Sequence, residues 1–293
     1  MSTLPVRPRA ANECFCCPVT HEPLFFDGGQ LVTPSRSHSY PVVGGVPILL
    51  SDPKSAAEYA QGSERMTREY TLKKSDSLVQ RFKRWNARDY SASASRPAFE
   101  SIFSGDGVYL SIGGGPLRSH PLLTNLNIGP FPNVDVVADA HGLPYFDESV
   151  DGIHCVAVLE HLRDPKLAVQ EMFRVLKVGG KVFAATPFLQ PYHGYPFHFQ
   201  GFTLTGHVNL FEACGFEVTE SGTQVGPTHV IYQMGQTYMR EYFPTALAIP
   251  CRAAWLLLGC LFRPLDRVIN SRANSYVMAS TTYLLAVKKK LTR

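Results

Sequence analysis

The sequence predicts an α/β protein centred on a doubly wound, mostly parallel sheet of seven strands. The first observation is a change of hydrophobic period near residue 107, where apolar runs of strand length begin to alternate with helical or loop segments. The second is that the first run ends in three glycines and the third ends in a carboxylate, which places a ligand at the carboxyl ends of the strands. The runs cover residues 108–112, 122–128, 134–138, 152–158, 181–186, 216–219 and 281–287.

The chain divides into three regions in order. Residues 13–50 alternate short apolar runs with turn residues and predict a small β module, with a hairpin turn at Asp27, Gly28 and Gly29. Residues 51–104 are polar and helix-compatible and predict a helical linker or lid. Residues 105–293 form the main domain, with a helical insertion at about 232–275 before the last strand.

Two helices of the main domain have clear sequence signals. Residues 165–177 place apolar side chains on one helical stripe, and Gly179 and Gly180 predict its end. Residues 203–213 predict a second helix that ends near Gly215.

The composition is that of an ordinary globular protein and excludes few classes of binding partner. The chain has 293 residues, 45% of them hydrophobic, and a formal net charge of +4. This small basic excess does not favour specific nucleic-acid binding, although it leaves that partner open. The first residues lack the layout of a secretory signal, so we expect a cytoplasmic protein with reduced thiols.

The strongest motifs lie between residues 105 and 225. They are VYLSIGGG, then DVVADAHGLPYFDESVDGIHCVAVLEHLRDP and, after the next helix, RVLKVGGKVFAATP. In this order and spacing they resemble class I S-adenosylmethionine-dependent methyltransferases. The resemblance implies a Rossmann-like sheet, S-adenosylmethionine as cofactor and transfer of its methyl group to an acceptor.

Seven residues are predicted to hold the cofactor, namely Ser111, Gly113, Gly115, Asn127, Asp139, Ala140 and Leu143. Gly113 and Gly115 let the backbone approach the methionine moiety, where N–H groups can meet its carboxylate. Asp139 can accept a hydrogen bond from the adenine amine while the Ala140 amide donates to a ring nitrogen, and Leu143 would cover the ring. The alternative for these positions is purely structural, with turn glycines and a helix-capping aspartate.

Two departures from the family pattern bear on cofactor binding. Ser111 stands where the family commonly has an acid, and Leu117 replaces the third glycine. The usual acid after the second strand is also missing, and Asn127 is the candidate ribose contact in its place. A neutral amide makes weaker hydrogen bonds than a carboxylate, so a non-catalytic adenosine-binding scaffold stays open as an alternative.

The acceptor is predicted to bind beside the aromatic segment at residues 187–202. Its Tyr192, Tyr195 and His198 are candidate pocket residues and His193 is the candidate general base. His161, in VLEHL after the fourth strand, is a second catalytic candidate, although a supporting role suits it equally. Packing of this segment against the sheet is the structural alternative.

The N-terminal module has a resemblance of its own. Its CP, PL and YPV-x-x-GVPILL segments resemble the zinc-ribbon-like activator subunits of RNA and protein methyltransferases. In that family cysteine pairs hold zinc, but here Thr20 stands where a second cysteine is expected. His21 and His38 could complete a ligand set with the cysteine cluster, yet we predict no metal for this chain.

The run at residues 243–262 approaches the length of a membrane span. It contains Pro244, Pro250 and Arg252, so a true span is not expected, and contact with a membrane surface is one of three readings that fit better. Two further arginines, Arg263 and Arg267, would suit such a surface. A homodimer contact and a cover over the substrate are the alternatives, and the protein could be peripheral to the inner face of the membrane.

The leading functional hypothesis is a methyltransferase acting on an O or N atom of a small-molecule, lipid-linked or sugar-linked acceptor, because the acceptor segment is aromatic rather than cationic. The second is an RNA or protein methyltransferase with its activator module fused in cis. The third is the non-catalytic scaffold.

Overall fold

The computed structural model describes residues 14–52, 92–93, 95–115, 118–129, 131–193 and 197–290. Eleven strands within these ranges form one sheet. They are β1 (Phe25–Asp27), β2 (Gln30–Val32), β3 (Ser39–Val43), β4 (Val46–Leu49), β5 (Tyr109–Ile112), β6 (Leu123–Asn127), β7 (Val136–Ala138), β8 (Val150–Val156), β9 (Leu176–Pro187), β10 (Phe216–Val225) and β11 (Thr281–Lys288). Their order in the sheet is β1-β2-β3-β4-β7-β6-β5-β8-β9-β11-β10.

Seven strands of the main domain form a doubly wound sheet. Strands β7, β6, β5, β8 and β9 are parallel, and β11 is antiparallel to both β9 and β10. The strand order reverses between β5 and β8, and ligands of such sheets bind outside the carboxyl ends of the strands at this point. The arrangement supports the expected Rossmann-like α/β fold.

The N-terminal strands extend this sheet. The β1–β2 hairpin turns at Gly28 and Gly29, whose φ angles of 56° and 88° suit a tight hairpin. Strand β4 pairs in parallel with β7, and Ile48 lies opposite Val137 in the register. The β module therefore forms an edge of the main sheet in the structure.

Six helices and three 3₁₀ turns lie in the described ranges. The helices are α1 (Ser95–Glu100), α2 (Pro165–Val175), α3 (Leu204–Glu212), α4 (Pro227–Tyr242), α5 (Thr245–Phe262) and α6 (Asp266–Ile269). The 3₁₀ turns are Leu159–His161, Arg263–Leu265 and Ser275–Met278. Asp164 caps α2 by accepting a 3.0 Å hydrogen bond from the Leu167 amide, and Thr203 caps α3 through the Gly206 amide.

Three sequence expectations about element bounds need correction. Helix α2 ends at Val175 rather than near residue 177, because Leu176 already pairs with Val150 as the start of β9. Strand β10 runs to Val225, beyond the predicted residue 219, since its whole length pairs with β11. The helical insertion begins at Pro227, where proline suits the first helical position.

Helices α4 and α5 pack closely through glycines. A Cβ on Gly235 would lie 2.6 Å from the Trp255 ring, and one on Gly259 would lie 2.5 Å from the Tyr232 ring. Trp255 Nε1 donates a hydrogen bond to the Tyr232 carbonyl at 3.0 Å. The helix pair therefore buries only the inner face of α5.

The outer face of α5 is apolar and exposed. Leu257 is 67% exposed and Leu261 is 77% exposed. Among the helices of the described ranges, the stretch Thr245–Ile269 is long and apolar enough to cross a membrane, with a mean hydropathy of 1.7. Length and composition alone support that statement.

The cysteine cluster is packed into the N-terminal module. The seven cysteines are free thiols, and Cys16 and Cys17 are buried. Cys17 Sγ lies 3.1 Å from the Tyr40 hydroxyl and accepts a hydrogen bond from the Thr20 amide at 3.4 Å.

Candidate active site

The glycine bend after β5 requires glycine for two different reasons. Gly113 has a φ of 67°, and a Cβ there would lie 2.3 Å from Val158 Cγ2. Gly115 has a φ of 60°, but a Cβ there would meet none of the described atoms within 4 Å. The bend thus presses against the loop after β8 at Gly113 and faces open space at Gly115.

Asn125 of β6 supports this bend, a role that the sequence analysis missed. Its Nδ2 donates to the carbonyls of Gly115 at 2.9 Å and Asn133 at 3.0 Å. A Cβ on Gly114 would lie only 1.6 Å from Asn125 Oδ1. An asparagine inside a buried strand was the available signal, because a buried amide needs hydrogen-bond partners.

Ser111 does not reach the open space. It is 1% exposed within β5, and its hydroxyl lies 3.2 Å from His154 Nδ1 of the neighbouring strand. The prediction that Ser111 contacts the cofactor therefore lacks support in the geometry. Pro116 and Leu117 lie outside the described residues.

Asn127 lies at the end of β6, as the ribose assignment requires. Its Oδ1 accepts a hydrogen bond from the Gly129 amide at 3.3 Å, which shapes the turn after the strand. The Nδ2 group is the part of this side chain that a ribose hydroxyl would contact. The ribose contact of Asn127 stays a prediction.

Asp139 follows β7 and forms a local ion pair that was not anticipated. Its Oδ1 accepts hydrogen bonds from His141 Nδ1 at 2.7 Å and from the His141 amide at 2.9 Å. Burial disfavours the carboxylate, but these hydrogen bonds outweigh it and lower the pKa of Asp139. The hydrogen bond to Asp139 raises the pKa of His141. Ala140, the next residue, is buried, and the Asp139 side chain remains 25% exposed.

Leu143 is a core residue in the structure, so its burial does not support the predicted contact with the adenine ring. Its side chain is 0% exposed and belongs to the main hydrophobic core. Its amide donates to Glu171 at 2.8 Å and its carbonyl accepts from Arg174 at 2.8 Å. These bonds to α2 turn the side chain inward, so protein atoms rather than a ligand cover it.

The predicted cofactor residues meet at one edge of the sheet. The Gly113 bend, Asn127 and Asp139 follow β5, β6 and β7, which are neighbouring strands. Strands lie ~4.8 Å apart, so the bend and Asp139 are separated by roughly 10 Å. An elongated ligand can cross these three strand ends.

A pocket of about 210 Å³ opens on the other side of the switch point. Ala157, directly after β8, has a φ of 55°, which is uncommon for a residue with a side chain and is often found at functional sites. The pocket is lined by Val156, Ala157, Pro187, Gln190, His193, Gln224, Val225 and Thr281. Val158 contacts the Gly113 bend, so the pocket adjoins the predicted cofactor position.

Glu160 and His161 lie close to His193, which lines this pocket. Glu160 Oε1 lies 3.5 Å from His161 Nε2 and 4.0 Å from His193 Nε2. Glu160 is fully buried, and this burial raises its pKa to about 7. Burial also lowers the pKa of His161. The sequence analysis missed Glu160, although its place beside His161 in VLEHL was the available signal.

The other acceptor-side candidates have different positions. His198 Nδ1 accepts a hydrogen bond from the His193 amide at 3.2 Å, so His198 orients His193. Tyr192 is 76% exposed, and its ring centroid lies 5.7 Å from that of His198. Tyr192 therefore stands outside the pocket. Tyr195 lies outside the described residues.

Parts of this chain are similar to known methyltransferases. Residues 124–184 match the family model described as "Methyltransferase domain". A Mycolicibacterium smegmatis protein named "Probable S-adenosylmethionine-dependent methyltransferase" is 35% identical over 101 residues, which cover 31% of this chain and 38% of that protein. A ubiquinone/menaquinone biosynthesis C-methyltransferase of Klebsiella pneumoniae is 36% identical over 80 residues, which cover 25% of this chain and 32% of that protein.

A solved complex between the Haloferax volcanii Trm112 methyltransferase activator and a methyltransferase is also similar. It has a TM-score of 0.42 and 14% identity, and the match covers 81% of this chain and 98% of that one. The chain spans less than two fifths of the length of the two curated relatives named above. The domain match and the relatives support S-adenosylmethionine as the cofactor. Together with the sheet order, they support a class I S-adenosylmethionine-dependent methyltransferase.

Proposed function

We propose that this protein transfers a methyl group from S-adenosylmethionine to a lipid-linked small molecule. The observation that carries the proposal is the meeting of the Gly113 bend, Asn127 and Asp139 at three adjacent strand ends, with a second pocket beside them. The methionine part would lie at the glycine bend and the adenine at Asp139. The sulfonium methyl would then point towards the pocket beyond Val158.

Methyl transfer requires mainly that the acceptor atom is aligned with the sulfonium methyl. A sulfonium methyl is already activated, so holding the acceptor atom in line at ~3–3.5 Å supplies much of the acceleration. A phenolic acceptor reacts faster after losing its proton, whether the methyl goes to oxygen or to a ring carbon. In the absence of a metal ion, His193 is the group that would accept this proton, because it lines the pocket.

The helix pair α4–α5 supports a lipid-linked acceptor. Gln224 and Val225 line the pocket directly before α4 begins at Pro227. Helix α5, which carries the exposed apolar face, follows α4 in the chain and packs against it. An apolar tail leaving the pocket could follow this face into a membrane surface.

Two arginines that the sequence suggested for a membrane surface have internal roles. Arg263 is 5% exposed and stacks over the Tyr232 ring at 4.4 Å. Arg252 Nε donates to Gln236 Oε1 at 3.1 Å and links the two helices. The proposed membrane contact therefore depends on the exposed apolar face of α5 rather than on the charges of these two arginines.

A quinol with a polyprenyl tail is the acceptor that we would test first, since the Klebsiella relative is named for ubiquinone/menaquinone biosynthesis. Purified protein should bind S-adenosylmethionine in a calorimetric titration. It should then transfer a labelled methyl group to demethylmenaquinol in liposomes and much less to a water-soluble phenol. No measurable cofactor binding would refute the methyltransferase, whereas equal transfer to the soluble phenol would refute only the lipid-linked acceptor.

Membrane contact has its own test. Leu261→Asp should reduce flotation of the protein with liposomes, because it places a charge on the exposed apolar face. Phe26→Asp is the matched control, since Phe26 is 70% exposed on β1. A shift from dimer to monomer in Leu261→Asp, without a change in flotation, would favour a homodimer contact instead.

A second candidate function rests on the N-terminal module. Its β4 pairs with β7, the strand that leads into Asp139, so the module supports one wall of the predicted cofactor site. We propose that it acts as an activator in cis, the role suggested by its resemblance to methyltransferase activator subunits. An RNA or protein acceptor would fit such an activator, and methyl transfer to purified cellular RNA or protein extracts would reveal it.

A further inference from the structure

Three hydrogen-bond acceptors face one another beside the acceptor pocket. One ligand atom from each of Glu160, His161 and His193 lies within 4.8 Å of the other two. They come from the turn after β8 and from the segment after β9, so the sheet fixes one part of the group and the aromatic segment supplies the other. His193 also lines the pocket.

The hydrogen bonds of both histidines identify the atom that each directs at Glu160. His161 Nδ1 lies 2.6 Å from the Phe197 carbonyl, and His193 Nδ1 lies 3.0 Å from the Pro191 carbonyl. A carbonyl oxygen can only accept, so Nδ1 carries the proton in each ring. In the neutral rings both Nε2 atoms are therefore lone-pair donors directed at a carboxylate. Metal-binding histidines are commonly held by such a bond from the other ring nitrogen.

The Glu160 carboxylate gives an independent indication of a missing cation. Its side chain is 0% exposed, and neither of its oxygens has a hydrogen-bond partner in the described part of the chain. An isolated buried carboxylate costs several kcal/mol unless a counter-charge or a proton accompanies it. Lone pairs from the two imidazoles supply neither.

We propose that Glu160, His161 and His193 bind a divalent first-row transition-metal ion at the edge of the acceptor pocket. Two imidazoles and one carboxylate form a donor set used by zinc and by non-haem iron. Ligand atoms around an ion with bonds of ~2.1 Å lie roughly 3–3.5 Å apart, so the observed 3.5 Å and 4.0 Å separations require only a small closure. The remaining coordination positions would face the pocket.

The ion would activate an acceptor hydroxyl. A hydroxyl oxygen bound to the ion releases its proton to water more readily, because the ion stabilises the oxyanion. The S–CH₃ bond then breaks as the bond from the acceptor to that methyl forms, which leaves neutral S-adenosylhomocysteine. This role rests on the proposed methyl transfer, but binding of the ion does not.

The test uses the full-length protein after treatment with a chelator. Titration with Co²⁺, followed by its visible absorption, and with Zn²⁺ by calorimetry should each show about one ion per chain bound at this site. His193→Ala and Glu160→Gln should each weaken binding by at least ~100-fold, since even outer contacts of metal sites matter by 10–100-fold. His120→Asn is the matched control, because His120 lies outside the cluster and asparagine can still accept the hydrogen bond that His120 Nδ1 takes from the Leu122 amide at 3.3 Å.

Thermal unfolding separates a metal ligand from a structural carboxylate. In chelator, Glu160→Gln should unfold at the same or a higher temperature than the wild type, because it removes an unpaired buried carboxylate. Added Zn²⁺ should raise the wild-type midpoint and leave that of Glu160→Gln unchanged.

Wild-type protein that binds neither ion, or variants that bind as tightly as the wild type, would overturn the metal site. Retained affinity for S-adenosylmethionine in that case would leave the proposed methyl transfer intact. Metal binding without any affinity for S-adenosylmethionine would instead refute the methyltransferase and keep the metal site.

Discussion

Replacing Gly115 with alanine tests the proposed cofactor site, and the same replacement at Gly105 is its control. Gly115 and Gly105 have φ angles of 60° and 82°, and a Cβ on either would meet no described atom within 4 Å. Alanine in this left-handed region costs roughly 1–2 kcal/mol. Gly115→Ala and Gly105→Ala should therefore lose similar free energy of unfolding. Gly105 precedes β5, at the end opposite the bend, so only Gly115→Ala should affect the cofactor.

The expected loss of affinity follows from the hydrogen bonds at the bend. A Cβ on Gly115 would occupy space that we assign to the methionine moiety and would push its carboxylate away from the backbone amides. Losing one hydrogen bond to a charged group costs about 1.5–3 kcal/mol, which corresponds to roughly a 10- to 150-fold rise in Kd. Calorimetric titration with S-adenosylmethionine measures the affinity, and urea unfolding measures the stability.

Gly113→Ala provides a third point of comparison. Its Cβ would lie 2.3 Å from Val158 Cγ2, so the free energy of unfolding should fall by more than the cost of the left-handed backbone alone. This variant should also bind S-adenosylmethionine more weakly than the wild type. The assignment of the glycine bend is refuted if Gly115→Ala binds the cofactor like the wild type. It is also refuted if Gly105→Ala loses as much affinity as Gly115→Ala.

Three further predictions concern stability. Burial lowers the pKa of His154 to about 4 and that of His207 to about 3, whereas a histidine in an unfolded chain has a pKa of about 6.5. The free energy of unfolding should therefore fall as the pH drops below about 6.5, by up to ~1.4 kcal/mol per pH unit for each histidine. Urea unfolding at about pH 7 and about pH 5 measures this fall. The raised pKa of His141 acts oppositely, so His141→Asn should cost stability below about pH 6.5 and progressively less as pH rises through that pKa, which a difference between the variant and wild-type curves would show. Arg174→Met should lower the free energy of unfolding by about 3 kcal/mol, because it leaves Glu171 and two loop carbonyls without their partner; a thermal midpoint equal to that of the wild type would contradict this.

The sequence predicted those parts of the fold that depend on local pattern. Buried parallel strands are nearly continuous apolar runs, and glycines at positive φ end them, so β5 and its bend at Gly113 were found directly. The pairing of β4 with β7 was not predicted, because no local pattern encodes contact between segments almost ninety residues apart. The burial of Leu143 was not predicted for a related reason, since the side chains of Glu171 and Arg174 that hydrogen-bond its backbone lie on a later helix.

The cofactor-side and acceptor-side residues differ in how far the sequence could identify them. On the cofactor side the functional groups are backbone atoms and side chains at strand ends, such as Gly113 and Asp139, and their positions follow from strand order. On the acceptor side, Glu160 Oε1 lies 3.5 Å from His161 Nε2 and 4.0 Å from His193 Nε2. Glu160 lies in a turn, and no sequence pattern marks it as the residue that lies next to both histidines.

This difference follows from the elements that hold each half of the site. The glycine bend is fixed between Val158 and Asn125 of the sheet, so a change there strains β5 and β6 together. The His193 ring contacts the rings of His161 and His198, which lie on a turn and a loop outside the strands. Substitutions in residues 187–202 should therefore change the acceptor without loss of cofactor affinity, whereas the reverse separation should be hard to achieve at the bend.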